Sequence, residues 1–262
     1  MFYPEDIKLD KPLIFDSHAH YDDEKFDDIR DDLLVALKDN GVEYAITCSV
    51  DGHSSENSLK IAEKYDYIYA AVGIHPENID SNTPISYIEK LSKHKKCVAI
   101  GEIGLDYYYT ADNKSKQIEI FENQIILANK LDLPVIVHDR EAHSDTLEIL
   151  KKYRPKGVVH CFSGSVEMAN EIIKLGMYIG VGGVVTFKNA KKLPDVIASI
   201  PDDKLLIETD CPYLAPEPYR GKLNHSGFIP LIAKRIADIK NTDYTDILSL
   251  TSKNAKNLFG IK

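Results

Sequence analysis

Short apolar runs alternate along the chain with longer stretches in which apolar residues recur every three or four positions. The short runs are LIFDSH from Leu13, VEYAITCSV from Val42, YIYAAVGIH from Tyr67 and CVAIGEIG from Cys97. They continue with PVIVH from Pro134, GVVHCF from Gly157, MYIGVGG from Met177 and KLLIETD from Lys204. Their length, β-branched content and lack of strict alternation predict strands buried on both faces. Stretches such as DDIRDDLLVALKDNG, KSKQIEIFENQIILANKLD and SVEMANEIIKLG carry the helical period instead. The first and last of these run into Gly41 and Gly176, where a glycine C-cap is expected. Ser165 stands at an N-cap position, and Met168 three residues later cannot complete a capping box.

Eight strand–helix pairs predict a parallel sheet covered by helices. That number within 262 residues is the count for a closed (β/α)8 barrel, the TIM barrel of the α/β class, with residues 1–262 forming one domain. An open doubly wound sheet would show a glycine-rich phosphate loop after its first strand. The stretch DSHAHYDDEK has none.

Composition narrows the setting. Hydrophobic residues at 44% supply a full core, and charged residues at 28% suit a solvated surface. The four cysteines, Cys48, Cys97, Cys161 and Cys211, form no CxxC pair and read as reduced thiols. No stretch has the apolar length of a membrane span, and MFYPEDIKLDKP lacks a leader pattern, so a cytoplasmic location away from membranes is expected. A net charge of −9 argues against coating nucleic acid through an overall field. It leaves open an enzyme that engages phosphates through bound cations and a local basic patch.

The polar residues at the strand ends carry the chemistry. In a (β/α)8 barrel these ends converge on one face. Strand one ends in His18 and His20, strand three in His75, strand four carries Glu102, strand five ends in His138, strand six in His160 and strand eight in Asp210. Strands two and seven offer no equivalent ligand. A single strand-end histidine is most often a satisfied polar residue. Five of nine histidines plus two carboxylates at one barrel mouth are poorly explained that way. In extended chain, residues i and i+2 point the same way, so His18 and His20 can bind one ion together. Mixed imidazole and carboxylate donors suit zinc, manganese or similar divalent ions. The donor set exceeds what one tetrahedral site needs and suffices for two ions sharing a carboxylate. His53, His94 and His143 sit in polar contexts and read as solvated.

The motifs FDSHAH, GIHP, GEIGLDYY, VIVHDR, HCFSG and ETDCPYLAP occur in that order from Phe15 to Pro216. In this the sequence resembles the TatD family of metal-dependent hydrolases, within the amidohydrolase-like barrels. The resemblance implies a deoxyribonuclease that hydrolyses DNA phosphodiesters, exonucleolytically in characterised members, with two divalent ions of the Mg, Mn or Zn class and no obligate protein partner. It assigns His18, His20, Glu102 and Asp210 to one ion and Glu102, His138 and His160 to the other, with Glu102 bridging. His75 would lie near the substrate phosphate. The stretch RGKLNHSGFIP keeps the family's Arg220, Lys222 and Asn224 but has His225 where an acidic residue is usual, and Phe228 and Pro230 open the next helix.

Asp210 is the expected general base, accepting a proton from the attacking water. Arg140, two residues past His138, and Arg220, Lys222 and Asn224 after strand eight are the expected substrate contacts, with solvated surface charge the competing reading for the cations. The lysine-rich KKYRPK and KNAKK read as solvated helix faces. Tyr107, Tyr108 and Tyr109 either cover the barrel rim or stack on a base. Asp106 either orients a ligand histidine or serves the fold alone. Cys161 and Cys211 follow ligands directly, so they face away and read as packing residues. An amidohydrolase or deacylase acting on an amide or ester, D-aminoacyl-tRNA included, is the alternative activity. A barrel with a merely structural metal is disfavoured, because such a site is closed by four ligands.

Overall fold

The computed structural model describes residue 9 and residues 13–262; apart from Leu9, the N-terminal stretch read above as lacking a leader lies outside them. The eight predicted strands form β1 (Ile14–Ala19), β2 (Val42–Cys48), β3 (Ile68–Val72), β4 (Cys97–Asp106), β5 (Val135–Arg140), β6 (Gly157–Val159), β7 (Tyr178–Val181) and β8 (Leu205–Ile207). They pair in sequence order, every pair parallel. A parallel bridge between Ala19 and Cys211 closes the sheet on itself, helped by the amide of Asp210 donating to the His18 carbonyl at 2.9 Å.

The helices are α1 (Arg30–Asp39), α2 (Gly52–Lys64), α3 (Ile85–Leu91), α4 (Lys114–Leu131), α5 (His143–Tyr153), α6 (Val166–Lys174), α7 (Leu193–Ser199), α8 (Ile229–Lys240) and α9 (Tyr244–Phe259). Glycines end α1 and α6 as expected, with Gly41 at φ +94° and Gly176 at +89°. Ser165 caps α6 by accepting from the Met168 amide at 3.3 Å. Pro230 lies in the first turn of α8. Two elements differ from expectation. The first helix begins at Arg30 rather than Asp27, because a 3-10 turn over Glu24–Phe26 buries Phe26 first. And α9 adds a ninth helix beyond the eight strand–helix pairs.

The addition has a packing reason. The barrel interior is filled by Phe15, Ile46, Ala71, Ala99, Ile136, Val158 and Leu206, contributed by seven of the strands. Ala255, Phe259 and Ile261, at the end of α9 and just beyond, close this cluster, and the Phe259 ring stacks on Phe15 at 6.1 Å. One end of the barrel is thereby an apolar plug. The opposite end, where the strands finish, is left for polar side chains. No helix among the described residues is long and apolar enough to cross a membrane.

Candidate metal centre

The two histidines of FDSHAH set one side of the barrel mouth. His18 Nε2 and His20 Nε2 lie 3.0 Å apart. Asp210 Oδ1 lies 3.5 Å from the first and 3.3 Å from the second. Glu102 Oε2 lies 3.2 and 3.5 Å from the same two nitrogens. The other oxygen of Glu102 faces a second set of donors. Its Oε1 is 2.7 Å from His160 Nε2, 2.8 Å from His138 Nδ1 and 3.4 Å from His75 Nε2. Every sequence-expected ligand thus lies at the mouth, and one carboxylate is shared between two groups of donors.

These distances suit cations. An ion about 2.0–2.2 Å from each donor holds neighbouring donors about 3.0–3.5 Å apart in tetrahedral or octahedral geometry. Two imidazole nitrogens facing each other at 3.0 Å, with both lone pairs presented, repel unless a cation or proton sits between them. His18 is fully buried and the His20 side chain is only 14% exposed, so solvent screens that repulsion little. The donor chemistry therefore fits metal.

The protonation of His20, His138, His160 and His75 follows from the second nitrogen of each ring. His20 Nδ1 donates to the Cys48 carbonyl at 2.9 Å, which frees Nε2 as a lone-pair donor. His138 Nε2 bonds Asp106 Oδ2 at 3.0 Å, which frees Nδ1. Asp106 has the orienting position considered for it, and its Oδ1 also accepts from the Tyr108 and Tyr109 amides. His160 Nδ1 faces Glu208 Oε1 at 3.5 Å. His75 is the exception. Its Nδ1 accepts from the Glu77 amide at 3.2 Å, so the neutral ring carries its proton on Nε2, facing Glu102. That ring is a donor and has no lone pair for an ion. Burial also holds its pKa below the usual histidine value, which keeps it neutral.

Within the cluster, carboxylates and imidazoles shift one another's protonation. Burial opposes charging of His20, but Asp210 and Glu102 outweigh it and lift the ring to about 9. His138 is likewise lifted to about 8, against burial, by Asp106 and Glu102. Burial and the neighbouring His160 hold His18 below its usual value. For Glu102 burial favours the neutral acid, yet the surrounding imidazoles hold its pKa well below the usual range. Asp210 is lowered by its histidines in the same way, and at 18% side-chain exposure it is far more open than Glu102.

The two strands without ligands work through backbone and space. Beyond the His20 contact at Cys48, the Ser49 carbonyl accepts from the Glu102 amide and the Val50 carbonyl from the His75 amide, both at 2.9 Å. The end of β2 therefore orients three site residues. On β7, a Cβ at Gly180 would come within 2.5 Å of Glu208 Oε2, so glycine there makes room for the buried acid. On β4, Gly104 has φ +148° and a Cβ would sit 1.9 Å from the His138 carbonyl. Only glycine permits that approach.

Glu208 and Asp16 are site residues that the strand-end reading passed over. Glu208 lies two residues before Asp210, the same i, i+2 spacing as His18 and His20, and that was its sequence signal. Asp16 is fully buried, and both Thr209 Oγ1 and Ser226 Oγ donate to its Oδ2 at 2.6 Å. Burial pushes its carboxyl up to about 7 despite these donors. It ties β1 to the segment that carries Asp210.

The expected substrate contacts are spread around the rim. Arg140, Arg220 and Lys222 are exposed, with Arg140 over the Tyr108 and Tyr109 rings and Arg220 over Phe187 at 4.4 Å. Asn224 is fully buried. Its side-chain nitrogen donates to the carbonyls of Thr209 (2.9 Å) and Tyr213 (2.6 Å), and its oxygen accepts from the His225 amide. His225 is buried against Phe228, its rings 4.1 Å apart. Cys161 and Cys211 belong to none of the donor groups. His94 pairs with Glu63 at 3.0 Å, His143 pairs with Asp139 near the end of β5 at 2.7 Å, and the lysines of KKYRPK pair with Glu171, Glu122 and Asp132.

Comparison with known proteins gives the same picture. The family model described as TatD related DNase matches residues 15–260. The metal-dependent hydrolase YabD of Bacillus subtilis is 43% identical over 254 residues, covering 95% of this chain and 100% of that one. The metal-dependent hydrolase YcfH of Escherichia coli is 36% identical over 257 residues, covering 95% and 96%. Among solved structures, the TatD homologue YjjV of E. coli superposes with a TM-score of 0.90 at 30% identity, covering 96% of this chain and 99% of that one. A TatD family hydrolase from Entamoeba histolytica gives 0.85 at 26%, covering 95% and 98%. With barrel, polar mouth and whole-length likenesses in agreement, the chain belongs to the TatD family of metal-dependent hydrolases.

Proposed function

We propose that this chain is a deoxyribonuclease that holds two divalent ions and hydrolyses DNA phosphodiester bonds, trimming strands from an end. The observation that carries this reading is Glu102, whose two carboxylate oxygens face two separate groups of donors. His18, His20, Asp210 and Glu102 would hold one ion, and Glu102, His138 and His160 the other. Two such ions would supply Lewis acidity, polarising a phosphoryl oxygen and lowering the pKa of an attacking water. The exposed Arg140, Arg220 and Lys222 add local positive charge in a chain whose net charge is −9, which favours a phosphate substrate over a neutral amide.

The protein's own groups divide the work. Asp210, the more open carboxylate and ionised at neutral pH, accepts the proton of the attacking water. Its backbone holds φ +58°, a left-handed conformation uncommon for a residue with a side chain. The hydrogen bond of its amide to the His18 carbonyl keeps it in that conformation. His75, fixed as an Nε2–H donor, stabilises negative charge that builds on a phosphoryl oxygen. Asn224 holds the loop that bears Arg220 and Lys222 and does not itself reach the substrate.

The test is incubation of metal-loaded protein with labelled single-stranded DNA beside the Asp210→Asn variant. The expected result is a ladder shortened progressively from one end, with the variant slower by about 10²–10⁴-fold. Equal trimming by both proteins would refute the role of Asp210. No cleavage under any divalent ion, with turnover of an ester or amide instead, would replace the nuclease reading by a deacylase one.

A further inference from the structure

Five large apolar or aromatic side chains are exposed among the described residues, and three of them, Tyr108, Tyr109 and Tyr213, stand on loops beside the metal centre. Tyr213 is fastened down, its hydroxyl on Asp23 at 2.8 Å and its ring under Lys25. Tyr107 is fastened too, its hydroxyl on Asp145 at 2.6 Å and its ring under Lys114. Tyr108 and Tyr109 are different. They are 61% and 59% exposed, and among the described residues their side chains make no hydrogen bond. Their rings meet edge to face at 4.7 Å, and the Arg140 guanidinium lies 4.4 and 4.7 Å from the two centroids. No carboxylate of the described residues pairs with Arg140.

This platform is rigidly coupled to the metal ligands. The amides of both tyrosines donate to Asp106 Oδ1, at 2.9 and 2.8 Å, while the other oxygen of Asp106 holds His138. Arg140 lies two residues past His138 on β5 and pairs in register with Asp106. The backbone of the tyrosines and the imidazole of a candidate ligand therefore share one carboxylate. Leaving two aromatic rings in water gains the fold nothing, whereas an exposed ring beside an unpaired cation is a stacking surface with a phosphate contact attached.

We propose that Tyr108, Tyr109 and Arg140 form a subsite for the planar base next to the scissile phosphate. The proposal rests on the phosphodiesterase reading and deepens it. Arg140, held by the two rings, keeps its N–H groups for the phosphate.

The experiment compares wild type with a Tyr108→Ala/Tyr109→Ala double variant and a Tyr108→Phe/Tyr109→Phe double variant. The probes are a labelled single-stranded oligodeoxynucleotide and the same strand with abasic residues at both ends. Trimming kinetics, strand binding by fluorescence anisotropy and metal content are read for each protein. The expected result is a KM raised about ten- to a hundredfold in the alanine variant on the normal strand, rescue by phenylalanine, unchanged metal content, and a deficit on the abasic strand reduced to a fewfold. Equal deficits on both strands, or none on either, would overturn the subsite. Should wild type bind the strand without cutting it, with binding lost in the alanine variant, the subsite stands and the nuclease reading falls. Neither binding nor cutting by wild type overturns both.

Discussion

Glu208 reaches His160 on the nitrogen that faces away from the centre, and its Oε1 also accepts from the Cys161 amide. An acceptor there keeps the His160 proton on Nδ1 and leaves Nε2 free for an ion. Glu208→Gln can present an N–H instead and favours the wrong tautomer. The expected outcome is a loss of about 10–100-fold in affinity for one ion of the pair, with the other unaffected, read by calorimetric metal titration. Uniform weakening of both would assign Glu208 to the fold at large. Protons compete for the same nitrogens. His20 lifted to about 9 and His138 to about 8 carry protons at neutral pH in the metal-free protein. Metal must displace them, so affinity should rise with pH by up to about tenfold per unit for each proton released. Affinity flat between pH 6 and 9 would contradict this. The raised folded pKa of His20 also works on stability. Its contribution to the metal-free fold is fully present below pH 6.5 and is lost as pH rises through about 9. The histidines gathered at the mouth were legible in the sequence because each closes an apolar run. Glu208 was not, because a strand ending in ETD draws attention to its last acid. The burial of Asn224 was also hidden, since nothing in RGKLN distinguishes a loop brace from a substrate contact.

At the level of elements, the site is held from behind. On α4, Gln117 and Gln124 are seven residues apart, on one face, and both are buried. Gln124 makes two bonds to the backbone of Ile74, the neighbour of His75, at 2.7 and 3.0 Å. Gln117 does the same for Asp106, at 2.8 and 3.0 Å. Gln124→Ala should leave the Ile74 amide and carbonyl without partners, at a cost of about 1–3 kcal/mol in stability. It should also reduce turnover by loosening His75; turnover equal to wild type would separate this clamp from catalysis. Across the barrel seam, Asp16→Ala removes the acceptor shared by Thr209 and Ser226. An unfolding free energy lowered by about 2–4 kcal/mol in denaturant titration is expected, and a change below 0.5 kcal/mol would show that the seam does not depend on it. These buried polar residues were invisible to hydrophobic periodicity, which scores a glutamine on a core face as a break. The end of β2 was misleading for a related reason. It offers carbonyls rather than side chains, and backbone acceptors leave no mark in a sequence.

The whole molecule divides into an apolar end and a polar one. The interior cluster sealed by Phe259 and Ile261 carries stability, and the mouth carries buried charge. This polarity was readable in advance. Eight buried strands alternating with helices specify the barrel, and the barrel brings distant strand ends together, so motifs scattered from His18 to Asp210 become one site. What periodicity could not supply was α9, because the reading counted strand–helix pairs and a helix without a strand fell outside the count. Its role as a plug depends on where the barrel interior ends, which is a property of the closed sheet alone. The same closure places Glu102 between two groups of donors, and the account depends on this bridging position. The most direct measurement is metal stoichiometry by elemental analysis and calorimetry, for wild type and for Glu102→Gln, after equilibration with excess divalent ion. Two ions per chain in the wild type, with both weakened in the variant, is the predicted result. A wild type that never exceeds one ion, or a variant that still binds two with unchanged affinity, would contradict it.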